Sequence, residues 1–376
     1  MANPSSILLF SCLLLFSISS LHGKTLNPID SCWRSDPNWS TNRQALADCA
    51  KGFGSGALGG KGGAIYVVND TDDDPVNPKP GTLRYGVIQT EPLWIIFEKD
   101  MLINLRNELI INSFKTIDGR GAKVEIGLGP CITIDVIKNV IIHGVKIDIC
   151  LKAPEGNVRI SPTEVVFRPG TDGNAIIISN SSNIWIDHCF LGRSTEGLLD
   201  ILFTSYDITV SNNIFFKHNW VMTLGNIDGF YQDKIMNVTI AFNHFGPYLN
   251  DRIPRIRYGY VHIANNYYEP WGLHAISGSS EPTIFSEGNY FIAPNNVTMK
   301  EVTHREYALP TVWAQWNWKS SKDKFLNGAF FNASGKGNPT PNYTSPQSFP
   351  VADGSQVPSL TSDAGPLHCI PNRPCI

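Results

Sequence analysis

The stretch Ile208-Thr-Val-Ser-Asn-Asn-Ile-Phe215 returns as Val238-Thr-Ile-Ala-Phe-Asn-His-Phe245, as Val261-His-Ile-Ala-Asn-Asn-Tyr-Tyr268 and as Ile284-Phe-Ser-Glu-Gly-Asn-Tyr-Phe291. Ile184-Trp-Ile-Asp-His-Cys-Phe190 follows the same pattern of an apolar triplet, a polar pair and a large apolar residue. Aligned, the copies put His188, Asn213, Asn243, Asn266 and Asn289 at equivalent positions, with spacings of 25, 30, 23 and 23 residues. Val140-Ile-Ile-His-Gly144 lies two such periods before His188. Self-similarity at this period is the signature of a solenoid, in which each coil packs only on its neighbours. A coil of roughly 22 to 30 residues made of short strands and polar turns suits an all-β parallel β-helix. Its Asn side chains are then expected to hydrogen-bond along the stack as a ladder. An antiparallel sandwich with Asn-rich turns is the competing architecture.

Working outward, Asn42 to Ala50 has helical spacing and is expected to cap the first coil, whose edge would otherwise stay open. The cap is placed at about residues 24–58, and a Pro-, Gly-, Ser- and Asn-rich wrapping tail at about 335–376, with residues 24–376 forming one domain. Residues 1–23 contain no Asp, Glu, Lys or Arg, and Ile7 to Leu21 is a Leu-rich run ending in small residues, which reads as a secretory signal peptide. The run is too short for a membrane span, so no membrane association is expected. Seven Asn-X-Ser/Thr sequons suit a secreted glycoprotein. Without Cys12, seven cysteines remain, and in an oxidising compartment they predict three disulfides and one free thiol. The simplest pairing is local: Cys32 with Cys49, Cys131 with Cys150, and Cys369 with Cys375. The 376-residue chain is 42% hydrophobic, enough for a large core, and its net charge of -3 argues against a nucleic-acid partner. A monomer is expected.

Gly54-Ser-Gly-Ala-Leu-Gly59 matches a dinucleotide-binding pattern, but the helical patch precedes it and the apolar run follows, the reverse of what such a site needs. Asp72-Asp-Asp74 reads as a solvated loop. Asp187, Glu196 and Asp200 flank one coil and its turn, and three carboxylates without a nearby Lys suit Ca²⁺ as well as they suit solvent. In Arg252-Ile-Pro-Arg255-Ile-Arg257, strand alternation puts Arg255 and Arg257 on one face, where guanidinium groups can hold the carboxylates of an acidic ligand; an exposed basic strand end is the alternative. The acids and Arg252 are two coils apart, roughly 10 Å at the strand spacing.

With these motifs the sequence resembles the pectate lyase family, in particular its plant group, which includes conifer-pollen allergens. The resemblance runs from about Asn27 to Asn332. It is carried by Asn27-Pro-Ile-Asp-Ser-Cys-Trp33, Gly59-Gly-Lys-Gly-Gly63, Pro80-Gly-Thr-Leu-Arg-Tyr85, Thr116-Ile-Asp-Gly-Arg-Gly121, Trp185-Ile-Asp-His188, Val238 to Phe245 and Arg252 to Arg257. It implies a right-handed, single-stranded parallel β-helix and a secreted enzyme that cleaves de-esterified polygalacturonate by calcium-dependent β-elimination. It further implies that Asp187, Glu196 and Asp200 ligate Ca²⁺, that Arg252 abstracts the proton and that Arg257 binds a substrate carboxylate. An arginine base, with a pKa normally above about 12, acts only through its small neutral fraction, so alkaline activity is expected. Two positions depart from the family pattern. Many relatives carry Lys where this chain has Trp220, and His where it has Asn226. Trp220 is expected to stack on a sugar face or to fill space between turns. A non-catalytic polygalacturonate-binding relative is the alternative function. A hydrolase on the same solenoid would need paired carboxylic acids, of which Asn226-Ile-Asp-Gly229 is only a fragment.

Overall fold

In the computed structural model, residues 25–375 are described, so the expected signal segment lies outside the described residues. Three parallel sheets of ten, eight and nine strands run along the molecule, and a complete coil gives one strand to each. One coil, for example, supplies Ser182–Asp187 to the ten-stranded sheet, Phe190–Gly192 to the nine-stranded sheet and Leu199–Leu202 to the eight-stranded sheet. The expected parallel β-helix is therefore present.

Alternation within each strand decides what the sheets enclose. In Leu199–Leu202, Leu199 and Ile201 are buried, whereas Asp200 and Leu202 face outward. Stacking then aligns like with like: Ile178, Ile201, Leu224 and Ile256 share one inward register and are fully buried. Phe215, Phe245, Tyr268 and Phe291 form a second inward column, with successive ring centroids 4.9, 4.7 and 4.5 Å apart. That separation is about the 4.8 Å between strands, so the coil spacing itself brings each ring into contact with the next.

The Asn ladder is present at the turn between the ten- and nine-stranded sheets. Asn213 Nδ2 donates to Asn243 Oδ1 at 3.0 Å, Asn243 Nδ2 to Asn266 Oδ1 at 2.9 Å, and Asn266 Nδ2 to Asn289 Oδ1 at 3.0 Å. Asp323 ends the run as acceptor for Asn289 at 3.1 Å. His188 is not a rung. Ile184 pairs with Ile208, which aligns His188 with Asn212 and puts Cys189 on the ladder, where its backbone N–H donates to Asn213 Oδ1. The column of His188, Asn212, Phe242 and Asn265 has φ of 49°, 55°, 60° and 52°, the left-handed turn that Asn tolerates better than most residues.

The N-terminal helical turns, Asp30–Trp33 and the 3-10 helix Arg43–Cys49, lie along the outer face of the ten-stranded sheet instead of over the open end. Backbone N–H groups of the Gly-rich segment donate to hydroxyls three strands apart in the ten-stranded sheet, Gly54 to Thr209 and Gly60 to Thr116, both at 2.9 Å. A Cβ on Gly54 would lie 2.5 Å from the Thr209 nitrogen, so close approach, and not a phosphate, explains that glycine. The first coil is closed by the helix Leu83–Val87, which buries Leu83 and Val87 against Val68, Leu93 and Ile95. The C-terminal tail returns over the same flank: Tyr343 contacts Thr239 and His262, Ala352 bonds Asn265, and the Cys375 N–H donates to the Arg34 carbonyl. Cys32–Cys49, Cys131–Cys150 and Cys369–Cys375 are disulfides, which is the simplest local pairing, and Cys189 is a buried free thiol. Among the described residues no helix is long and apolar enough to cross a membrane.

Candidate active site

The outward face of the eight-stranded sheet carries a line of side chains in direct register, polar except at Ile177. Thr133 pairs with Ile177, Ile177 with Asp200, Asp200 with Thr223, Thr223 with Arg255, Arg255 with Ser277, and Ser277 with His304. Asp200 and Arg255 are thus two strand spacings apart, and Arg252 stands at the entry to the same strand as Arg255.

On the acidic side, Asp200 accepts from the Thr223 N–H at 3.1 Å and from Asn174 Nδ2 at 2.7 Å. Burial outweighs these bonds and pushes its carboxyl up to about 6. Glu196 lies in the turn leading into that strand; its backbone carbonyl accepts from the Ser194 hydroxyl and from His218 Nε2, and its carboxylate has no partner among the described residues. A Cβ on Gly197 would sit 2.6 Å from Asp200 Oδ1 and 3.0 Å from Asn174 Nδ2, so the missing side chain keeps a space open beside both. Exposed Asp172 is two residues before Asn174, in the neighbouring coil.

Asp187 does not belong to this set. Its strand, Ser182–Asp187, is in the ten-stranded sheet, where it lies between His143 and Ser211. The carboxylate is fully buried and accepts from His143 Nδ1 at 2.9 Å, from Asn212 Nδ2 at 2.9 Å and from the Ser211 hydroxyl. Burial raises its pKa, but His188 and His143 more than offset this and hold the carboxyl below its ordinary value. His188 in turn is penalised by burial yet is pushed up to about 9 by Asp30 and Asp187. Asp187 therefore anchors the N-terminal flank. The expectation that it ligates a metal with Glu196 and Asp200 fails because the chain passes through a second sheet between residues 187 and 199.

The three arginines differ. Arg255 is 5% exposed; Nη2 is 2.7 Å from a Glu306 carboxylate oxygen, and the guanidinium lies 5.6 Å from the Tyr307 ring centroid. Arg255, expected to bind substrate, is thus nearly buried and paired with Glu306 under the 306–307 loop, whereas Arg257 is more exposed. Arg257 is half-buried, donates from Nη1 to the Gly225 carbonyl at 3.1 Å and stands 3.4 Å from Asp228. Burial and then Arg255 hold its guanidinium below the ordinary arginine range. Asp228 is opposed by burial, but the Ser279 and Ser280 hydroxyls and Arg257 keep it ionised. Arg252 forms no direct ion pair with a carboxylate among the described residues, although the charges of Asp251 and Asp200 are felt there; its guanidinium lies 4.7 Å from the centroid of Trp220. Trp220 is thus stacked on an arginine, a partner that its position in the sequence does not disclose.

Among the described residues no group of three or more His, Cys, Asp or Glu side chains could by itself enclose a metal. Glu196 and Asp200, with the neighbouring Asn174 amide and the gap at Gly197, fit an oxygen-liganded cation whose shell is completed by carboxylates of a bound anion. Sequence reasoning missed Asn174, although its signal was available. Thr171-Asp-Gly-Asn174 precedes its strand as Thr195-Glu-Gly197 precedes the next, about one coil later.

The pectate lyase family pattern matches residues 41–308. A protein of Arabidopsis thaliana, putative pectate lyase 2, is 59% identical over 349 residues, which is 93% of this chain and 91% of that protein. Pectate lyase 1 of Chamaecyparis obtusa is 50% identical over 373 residues, 98% of each chain. The crystal structure of jun a 1, the major allergen from cedar pollen, superposes with a TM-score of 0.90 at 50% identity, covering 91% of this chain and 99% of that one. A pectate lyase of Bacillus sp. N165, solved in complex with trigalacturonate, shares the fold, with a TM-score of 0.61 at 24% identity over 84% of this chain and 98% of that one.

Proposed function

The chain belongs to the pectate lyase family, and from that premise we propose that it is a secreted, monomeric enzyme that cleaves de-esterified polygalacturonate by calcium-assisted β-elimination. The observation that carries this reading is the register of the groove, in which Asp200 and the strand opened by Arg252 are separated by a single intervening strand. Polygalacturonate carries a carboxylate on every sugar. A groove with acids at one point and arginines two coils on can hold such a chain only if a cation mediates at the acids.

Glu196 and Asp200 would hold that cation, with Asn174 beside them. Bound Ca²⁺ would neutralise a uronate carboxylate and so make the proton on C5 more acidic. Arg257 would pair with a substrate carboxylate and fix the ring. Arg252, whose guanidinium is in no ion pair with the described residues, would take the C5 proton. The electron pair left on C5 forms the C4–C5 double bond, the bond from C4 to the glycosidic oxygen breaks, and that oxygen takes a proton from solvent. No water is added to the sugar. Because a guanidine is a base only when neutral, the rate should rise toward alkaline pH. Three disulfides in the described chain suit an oxidising, extracellular compartment.

Ultraviolet absorbance of the unsaturated ends tests the reading: products should absorb and appear only with Ca²⁺ present. Saturated reducing ends would point to hydrolysis. The alternative, a polygalacturonate-binding relative with little turnover, draws on the aromatic cover that Trp220 places over Arg252. It predicts calcium-dependent binding without any unsaturated product.

A further inference from the structure

Arg252 has φ of 59°, and its guanidinium makes no hydrogen bond or ion pair with the described residues. The nearest acid in sequence, Asp251, points its carboxylate at His274 Nδ1, 3.3 Å away. What does meet the guanidinium is the indole of Trp220, 4.7 Å from ring centroid to guanidinium carbon. That contact is built into the backbone. His218–Trp220 and Leu249–Asp251 form a two-stranded parallel sheet in which Trp220 pairs with Asp251, the residue before Arg252. Asn250 Nδ2 also donates to Asn219 Oδ1, which ties the two strands side chain to side chain. The Val221 N–H donates to the Asp251 carbonyl and the Met222 N–H to the Arg252 carbonyl, continuing the pairing into the main groove. The indole remains 39% exposed, so it covers one side of the guanidinium without closing the groove.

A long arginine side chain held by no hydrogen bond or ion pair samples many rotamers even with the charges of Asp251 and Asp200 nearby, and the planar ring of Trp220 restricts them. We propose that Trp220 is a positioning residue for Arg252: the two-stranded sheet presents the indole as a flat support that fixes the guanidinium plane toward the substrate. This rests on Arg252 acting on the C5 proton, and it extends that reading by assigning a role to an aromatic residue that does not itself take part in proton transfer. A misdirected base slows the chemical step while leaving ground-state binding in place, so the effect belongs in kcat rather than in KM.

The test compares the parent with Trp220→Leu and Trp220→Phe on polygalacturonate in excess Ca²⁺, after thermal melts show that both variants fold. Trp220→Leu should lower kcat about tenfold or more with KM changed by less than about twofold, and Trp220→Phe should restore most of the loss. In parallel, proton–nitrogen NMR of arginine side chains follows the Arg252 Nε–Hε signal, assigned by its disappearance in Arg252→Lys. Ring current should displace it in the parent and in Trp220→Phe, and it should relax toward the free-arginine position in Trp220→Leu. An unchanged kcat in Trp220→Leu, or a rise in KM with kcat preserved, overturns the proposal; the second result would make Trp220 a sugar contact. If the parent releases no unsaturated ends, the lyase reading fails on its own, and the NMR signal still decides whether Trp220 holds Arg252. An undisplaced signal in the parent would overturn the proposal.

Discussion

Asp200→Asn should separate stability from function in a direction that ordinary core damage cannot imitate. Burial raises the Asp200 carboxyl from an ordinary 3.8 to about 6. A group whose folded pKa is raised stabilises the fold fully below its unfolded pKa, and that contribution is lost as pH rises through the folded value. Between about pH 4 and 6 the folded protein therefore gives up stability to ionise Asp200. Two units correspond to about 3 kcal/mol, and water in the groove reduces this to about 1–2 kcal/mol. Asn removes the ionisation and can still accept the Thr223 N–H bond that Oδ1 now receives. In chelator at pH 7.5, Asp200→Asn should melt a few degrees above the parent. On adding Ca²⁺ the parent should gain stability by mass action, whereas the variant should gain little and release almost no unsaturated product. Differential scanning fluorimetry with and without chelator reads both effects. A variant that melts at or below the parent in chelator, or that keeps the calcium-induced shift, would refute the placement of the cation at Asp200.

Asp187→Asn should have the opposite profile: an unchanged calcium requirement, but a stability loss of about 3 kcal/mol, because His143, Ser211 and Asn212 lose a buried anionic partner; calcium titration and urea unfolding check the two halves. His188 is held at about 9 beside Asp30, so its contribution to stability is complete below about pH 6.5 and lost as pH rises through 9. Melting temperature should therefore fall across that window, and His188→Gln should flatten the fall. Arg257→Gln should raise KM for polygalacturonate about tenfold, through loss of a charge-assisted contact of about 1.5 kcal/mol, with a smaller effect on kcat.

Much of the scaffold was legible because a solenoid repeats its instructions. Asn213, Asn243, Asn266 and Asn289 occupy one turn position in successive coils, and their spacing alone predicts the ladder that the side chains form. The disulfides take the simplest, local pairing, although sequence alone does not fix connectivity. The site was harder to read. Asp187 and Asp200 are close in sequence, but the chain turns through Phe190–Gly192 between them, and spacing does not show which sheet a carboxylate will face. Arg255 is paired with Glu306, fifty-one residues later, and no local pattern records that pairing. Trp220 meets Arg252 only through the register of a two-stranded sheet, set by how coils of unequal length stack. The N-terminal helical turns were visible as helix, but their destination on the flank depends on Asp118 and His188, which Arg43 and Asp30 meet only after the coils exist.

The central claim is that Arg252 carries the elimination step in a groove whose acids hold the cation, and Arg252→Lys tests it most directly. Lys keeps the positive charge and the stem but loses the planar guanidinium. With polygalacturonate in excess Ca²⁺, binding by isothermal calorimetry and release of unsaturated ends by ultraviolet absorbance should be measured on the same preparations. The account predicts that the variant binds within about threefold of the parent and releases unsaturated product at less than about one thousandth of its rate. Turnover at the parent's rate by Arg252→Lys would contradict it and place the base on another residue.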